Sequence, residues 1–292
     1  MPPTHVSAFP VRFDECDMYG HVNHAVYLRY MEEAAFQATA AIGYPVPRYQ
    51  ELGRAWFVRE TDVEYLSPLR YGDAVEVKTW AVDFRRVRGR RAYELRRAGD
   101  SHLVARGQSD WVYVDTEQQR PISIPDEMVA AFLPDGPAPD TPRREPFPDA
   151  PPPPPGAYHH RRRVEWADVD PAGHANNAVY LSYLEDCAVQ DAVSRGWPIS
   201  RMVDEGRFAI VARRYHIEYR QQARLDDELE LTTWISDVRR VTAVRHYTIR
   251  RSADGTLLAR ARARWAWIDL ETGRPQRIPS NFIADFAPAI AD

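Results

Sequence analysis

The sequence predicts an α+β protein that repeats one unit twice. Three observations carry that reading. Residues 164–187, "VEWADVDPAGHANNAVYLSYLEDC", lie on residues 11–34, "VRFDECDMYGHVNHAVYLRYMEEA", at an offset of 153, with 11 of 24 positions identical. In each half an alanine-rich stretch with helical spacing is followed by stretches of alternating polar and apolar residues. Between the halves runs a segment in which 11 of 25 residues are proline.

Each element follows from local chemistry. A short leading strand comes first. Residues 25–42 contain no Gly or Pro, and apolar residues recur at Tyr27, Tyr30, Met31, Ala34, Ala35 and Ala38, the period of a helix. Asn23 is placed to cap its start, and Gly43 and Pro45 to end it. Residues 178–195 repeat the helix, with Gly196 and Pro198 as the stop. The period then becomes two. "DAVEVKTWAV" puts Val75, Val77, Thr79 and Ala81 on one face, and "DELELTTWIS" does so with Leu229, Leu231 and Thr233. The last strand puts Leu103, Ala105, Gly107, Ser109, Trp111 and Tyr113 on one face. Its twin offers Leu257, Ala259, Ala261, Ala263, Trp265 and Trp267. Small residues mid-face let a helix lie close to the sheet. One helix with one sheet to bury it predicts about four antiparallel strands curling around each helix.

The register of the repeat continues at an offset of 154 after one inserted residue, so that "WVYVDTEQQRPISIP" lies on "WAWIDLETGRPQRIP". The expected organisation is a first domain over 1–133, a proline-rich linker over 134–158 and a second domain over 159–292. Such a linker favours extended polyproline II and reads as a semi-rigid spacer.

Bulk properties narrow the function classes. Of 292 residues, 44% are hydrophobic and 27% charged, and the formal net charge is −4, which offers no electrostatic footprint for nucleic acid. No apolar run approaches the roughly 20 residues of a membrane span. The start, "MPPTHVSAFPVRF", lacks the pattern of a secretory signal, so a cytoplasmic location is expected. Cys16 and Cys187 form no C-x-x-C pair and read as free thiols. Val169 stands where Cys16 does, which argues against a shared nucleophile.

The motif D-x-x-G-H-x-N followed by Y-L-x-Y-x-E occurs at residues 17–32 and again at 170–185. In that form it resembles the hotdog-fold thioesterases, most closely the 4-hydroxybenzoyl-CoA and acyl-ACP thioesterase branch. The resemblance covers nearly the whole chain outside the linker, once per half. It implies two tandem hotdog domains, each a long helix wrapped by a curved antiparallel sheet, imitating the dimer that single hotdogs form, with sites that borrow from both halves. It implies hydrolysis of acyl-CoA or acyl-ACP thioesters without metal or redox cofactor. Partners are then the acyl thioester substrate and, for the chain itself, a possible homodimer; neither nucleic acid nor membrane is expected.

Thioester hydrolysis needs an activated water or nucleophile, and donors where the carbonyl oxygen turns negative. By resemblance the catalytic aspartate falls on Asp17 and Asp170. The N–H that polarises the carbonyl falls on His24 and Asn177, where the helices begin. Gly20 and Gly173 let the loop turn. His21 and His174 would orient the aspartate or donate to the carbonyl, and Asn23 and Asn176 complete the substrate-binding set beside their capping role. The plant acyl-ACP pattern also has an asparagine two residues after the aspartate and a later glutamate; here stand Tyr19, Ala172 and Gln222. The H-A-N-N string of the second half favours Asp170. Asp14 and Asp168 read as loop solubilisers, and Glu32 and Glu185 as structural hydrogen-bonding residues. His159, His160 and Arg161–Arg163 read as an exposed basic strand start. Arg260, Arg262 and Arg264 read as a solvated face, with CoA phosphates as the functional alternative. The competing functions are a non-catalytic acyl-thioester binder and enoyl-thioester hydration; the dehydratase pattern G-D-x-N-P-x-H is absent from the sequence.

Overall fold

The computed structural model describes residues 3–138, 140–141 and 143–291. Pro139 and Pro142 of the expected linker, and Met1, Pro2 and Asp292 of the expected domains, lie outside the described residues. The chain divides into two compact units, Met1–Pro146 and Phe147–Asp292, a division inside the proline-rich segment.

In the first unit, β1 (Thr4–Pro10) leads to helix α1 (His24–Ala41), the short α2 (Val46–Glu51), and strands β2 (Arg54–Tyr65), β3 (Ala74–Arg85), β4 (Arg88–Arg97) and β5 (Leu103–Asp115). The two-residue β6 (Arg120–Pro121) and α3 (Asp126–Phe132) follow. All pairings are antiparallel, in the order β1-β3-β4-β5-β2, with β6 on β5. The second unit repeats the plan with β7 (Tyr158–Arg163), α4 (Asn177–Ser194), α5 (Ile199–Asp204), β8 (Phe208–Tyr219), β9 (Glu228–Ser236), β10 (Thr242–Arg251), β11 (Leu257–Asp269) and α6 (Ser280–Phe286). Its sheet order is β7-β9-β10-β11-β8, again antiparallel. Both units are α+β, as expected. The short helices were not foreseen, because six or seven residues carry too few turns to display a period.

Both long helices start where a cap exists. The Asn23 side chain accepts from the Ala25 N–H at 2.9 Å, and Asn176 from Ala178 at 3.0 Å. The alanine stripe of α1 (Ala34, Ala35, Ala38) is buried, while Arg29, Glu33 and Phe36 face outward. The small-residue face of β5 does bring helix and sheet together. A Cβ on Gly107 would lie 2.9 Å from the Asp62 carbonyl oxygen and 3.0 Å from the Met31 terminal methyl. Gly107→Val is therefore expected to destabilise by about 1–3 kcal/mol in urea unfolding; the matched Ala261 is the larger of the two side chains the repeat carries there.

One detail of the predicted face is wrong. A bulge between Leu95 and Arg96 pairs Leu95 with Ala105 and Arg96 with Leu103, so Val104 is fully buried instead of Leu103. The same bulge in β10–β11 buries Leu258 in place of Leu257.

The proline-rich segment is docked rather than a bare spacer. Arg144 lies on the outer face of the first sheet, ion-paired to Asp83 at 2.5 Å and to Asp110 at 3.4 Å. In the second unit Phe147 packs on the ring of His216 and under Arg260, and the Pro151 carbonyl accepts from Trp234 Nε1 at 3.1 Å. Trp234 in turn stacks on the buried His246, which bonds to Ser236 Oγ at 2.7 Å. Burial, helped by nearby Arg262, pushes the His246 imidazole down to about 4. The unfolded chain takes up this proton near pH 6.5, so His246 contributes its full stability above that pH. The contribution is lost as pH falls from about 6.5 toward about 4, by about 3 kcal/mol or less. His246→Gln is expected to flatten the urea midpoint across that window.

The second unit also buries an ion cluster. Asp191 of α4 is fully buried (0% exposed) and accepts from Arg195 Nε at 2.7 Å and from Arg245 Nη1 at 2.6 Å. Arg245 is 8% exposed, reaches Thr233 Oγ1 at 3.3 Å and lies over the Phe286 ring. Burial works against its charge, and Asp191 together with Tyr247 and Cys187 more than offsets that, leaving the guanidinium raised.

Candidate active site

In each unit the motif loop folds between a 3-10 turn and the long helix. In the first unit the turn Phe13–Glu15 is closed by Glu15, which takes the Arg12 N–H and the Arg12 guanidinium on its carboxylate. The buried Glu15 also accepts from the Tyr30 hydroxyl of α1 at 2.6 Å, which ties loop to helix. The Asp17 N–H then donates to the His21 carbonyl at 2.7 Å, and the Gly20 N–H to the Asp17 carbonyl at 2.9 Å. Gly20 has φ +70°, a left-handed conformation that glycine adopts without strain. The Asp17 carboxylate faces back into this loop, with Oδ1 accepting from the N–H of Tyr19 at 2.9 Å and of His21 at 3.2 Å. His24 is the first residue of α1, directly after the cap.

The second unit repeats this. Asp170 N–H donates to the His174 carbonyl at 3.1 Å, and Gly173, at φ +80°, donates to the Asp170 carbonyl at 2.9 Å. Asp170 Oδ1 accepts from the Ala172 N–H at 2.9 Å. Its Oδ2 takes the Asn176 side-chain amide at 3.4 Å and lies 4.0 Å from His174 Nδ1. Asn176 thus caps α4 and holds the aspartate at once. Asn177 is the first residue of α4. The loops therefore gather Asp17, Gly20, His21, Asn23 and His24 in one unit, and Asp170, Gly173, His174, Asn176 and Asn177 in the other. Burial and the neighbouring Arg70 push the His21 imidazole down, with Asp17 opposing. An imidazole so placed is neutral at pH 7.

Several residues stand elsewhere than expected. Asp168 is no loop solubiliser. It matches Glu15 at the offset of 153, takes the Glu165 N–H at 2.8 Å and lies beside Tyr183, the twin of Tyr30. Asp14 is exposed, in line with its expected role. Arg260 donates to Glu218 at 2.6 Å, which commits it to the sheet rather than to a phosphate. The basic start of β7 is met by acids: His160 and Arg162 face Asp186 at 3.6 and 3.8 Å, and Arg163 pairs with Asp226 at 2.7 Å. Glu32 and Glu185 are half-buried on their helices. Burial pushes the Cys187 thiol up to about 12, so it is no nucleophile at neutral pH.

Two matched tyrosine pairs, outside the D-x-x-G-H-x-N motif, frame the helix starts. Tyr65 donates to the His24 carbonyl and Tyr219 to the Asn177 carbonyl, each at 2.9 Å. The Tyr27 hydroxyl takes the Leu69 N–H at 3.1 Å, and Tyr180 that of Ala223 at 3.0 Å. Burial pushes Tyr180 up to about 12, so it stays a neutral hydroxyl. All four are identical across the repeat, a signal the motif pattern alone did not use. Phe13 and Trp166, also matched, are 78% and 82% exposed beside the two loops.

A family model described as the Thioesterase-like superfamily matches residues 11–132 and again 164–286. The chain belongs to the thioesterase-like superfamily. Among curated relatives, the acyl-CoA thioester hydrolase YbgC of Escherichia coli O6:H1 is 30% identical over 125 residues. That match takes in 42% of this chain and 91% of the relative. The chloroplastic acyl-acyl carrier protein thioesterase ATL3 of Arabidopsis thaliana is 26% identical over 133 residues, 46% of this chain and 70% of its own. Among solved structures, the 12:0-ACP thioesterase of Umbellularia californica superposes with a TM-score of 0.70 at 19% identity, covering 94% of each chain. This thioesterase-like chain shares that fold over both of its units. No helix among its described residues is long and apolar enough to cross a membrane.

Proposed function

We propose that this thioesterase-like protein hydrolyses acyl thioesters carried on CoA or acyl carrier protein, with Asp17 and Asp170 as its catalytic carboxylates. The observation that supports it most is the repeated loop that holds an aspartate beside the start of a capped helix. A helix start carries N–H groups not used within the helix and a partial positive charge. Aimed at a thioester oxygen, the first-turn N–H groups at His24 or Asn177 stabilise the charge that develops as the carbonyl is attacked. The aspartate takes a proton from the attacking water. The new C–O bond forms, the C–S bond breaks, and the thiolate leaves with that proton. Asn176 through its amide holds Asp170 in position, and the His174 ring stands 4.0 Å from the carboxylate with its Nδ1 at 3.2 Å from the Ala175 carbonyl.

A thiol-release assay across acyl-CoA and acyl-ACP substrates tests the class. Release from at least one chain length is expected. Binding of correctly loaded substrates without release points instead to a non-catalytic binder.

A further inference from the structure

The inner face of the first sheet carries a buried arginine whose twin has a carboxylate partner. Arg91 of β4 matches Arg245, and its surroundings are copied. Its Nη1 reaches Thr79 Oγ1 at 3.4 Å, as Arg245 reaches Thr233, and its guanidinium lies 5.5 Å from the Phe132 ring, as that of Arg245 lies 5.7 Å from Phe286. The difference is the acid. The position of Asp191 is Ala38 in the first unit, and that of Arg195 is Ile42. Arg91 is only 7% exposed, yet among the described residues its donors meet one hydroxyl at 3.4 Å and no carboxylate. Burial pushes its guanidinium down, and only the hydroxyls of Tyr93 and Tyr49 push back.

The first unit adds donors where the second has apolar side chains. Tyr49 replaces Met202, and Trp56 replaces Ile210. Tyr49 is 6% exposed, within electrostatic reach of Arg91, and adjoins Trp56. Its hydroxyl and Trp56 Nε1 are buried against one another, and no other group among the described residues pairs with either. Buried donors left unpaired are costly, and a buried lone cation more so. The second unit supplies its own anion, whereas the first gathers a cation and two neutral donors with none.

We propose that the interior of the first unit binds a ligand carboxylate at Arg91, with Tyr49 and Trp56 as further donors. A planar guanidinium fork matches a carboxylate in shape, and a single negative charge balances the single cation. The surroundings are apolar and aromatic: Tyr44, Tyr113, Met128, Phe132 and the partly buried Phe84 pack there. The ligand is therefore a carboxylate on a hydrocarbon chain. It comes either from a free fatty acid or from the far end of an ω-carboxyacyl thioester, and only the second source rests on the hydrolysis reading.

Calorimetric titration of the full chain with dodecanoate, and with dodecanol as a neutral control, tests the first source. Dodecanoate is expected to bind about tenfold or more weakly to Arg91→Met. It is expected to weaken equally in Ala38→Asp, which installs the acid of the second unit and keeps or raises the Tm; dodecanol should not respond. For the second source, dodecanoyl-CoA and the mono-CoA thioester of dodecanedioic acid are compared in the Asp17→Asn/Asp170→Asn background, where turnover does not intervene. A preference for the ω-carboxylate that disappears with Arg91→Met assigns the site to the acyl chain. Carboxylate probes that bind the parent protein, Arg91→Met and Ala38→Asp alike overturn the proposal, whether or not the protein hydrolyses thioesters.

Discussion

Asp170→Asn is expected to lower kcat/KM for the best acyl thioester by about 10²–10⁴-fold, the usual range for losing a positioned general base. Asparagine keeps the size of the side chain and can still accept from the Ala172 N–H, so the loop is preserved. What it removes is the charge and the capacity to take a proton. The second unit is the stronger candidate because its loop carries the H-A-N-N string, with Asn177 at the first helical position where the first unit has His24. Asp17→Asn is then the milder change. Steady-state kinetics on the two single variants, with matched thermal midpoints, distinguish the copies. If Asp17→Asn carries the larger loss, the productive site is in the first unit.

Asp191→Ala is expected to destabilise the protein by about 3–5 kcal/mol. The loss is large because the carboxylate is fully buried and serves two guanidinium groups at 2.7 and 2.6 Å. Its removal leaves Arg245 beside Phe286, Thr233, Tyr247 and Cys187 with no carboxylate, close to the surroundings of Arg91 in the first unit. At roughly 2–4 °C per kcal/mol for a domain of this size, the Tm of the second unit drops by about 10 °C. Differential scanning calorimetry resolves this, and a shift under 2 °C would contradict the buried-pair energetics.

The repeat made most of the fold legible. Two copies of one pattern separate shared residues from local ones, and the helices fall within one residue of their expected bounds, at His24–Ala41 and Asn177–Ser194. Strand faces followed from the period of two until a bulge shifted Val104 and Leu258 inward, because one extra residue reverses the alternation beyond it. Glu15 and Asp168 were legible too, since they align at 153, but were overlooked because their residue types differ. The Asp191–Arg245 pair was not legible: 54 residues separate the partners, and the position of Asp191 in the first half is alanine. Nor could composition reveal that the proline-rich segment docks, since this depends on where Asp83 and Asp110 come together on the outer face of the first sheet. For the motif loops, the sequence gathered the residues, but the orientation of each carboxylate follows from backbone N–H groups that no residue type announces.

Thioester hydrolysis by the two aspartates is most directly tested by measuring thiol release from acyl-CoA and acyl-ACP substrates by the parent protein and the Asp17→Asn/Asp170→Asn variant side by side. Release by the parent and a loss of at least about 10²-fold in the variant is the expected result. Equal rates in the two proteins would contradict the assignment of both carboxylates, and no release by the parent from any correctly loaded substrate would contradict thioester hydrolysis itself.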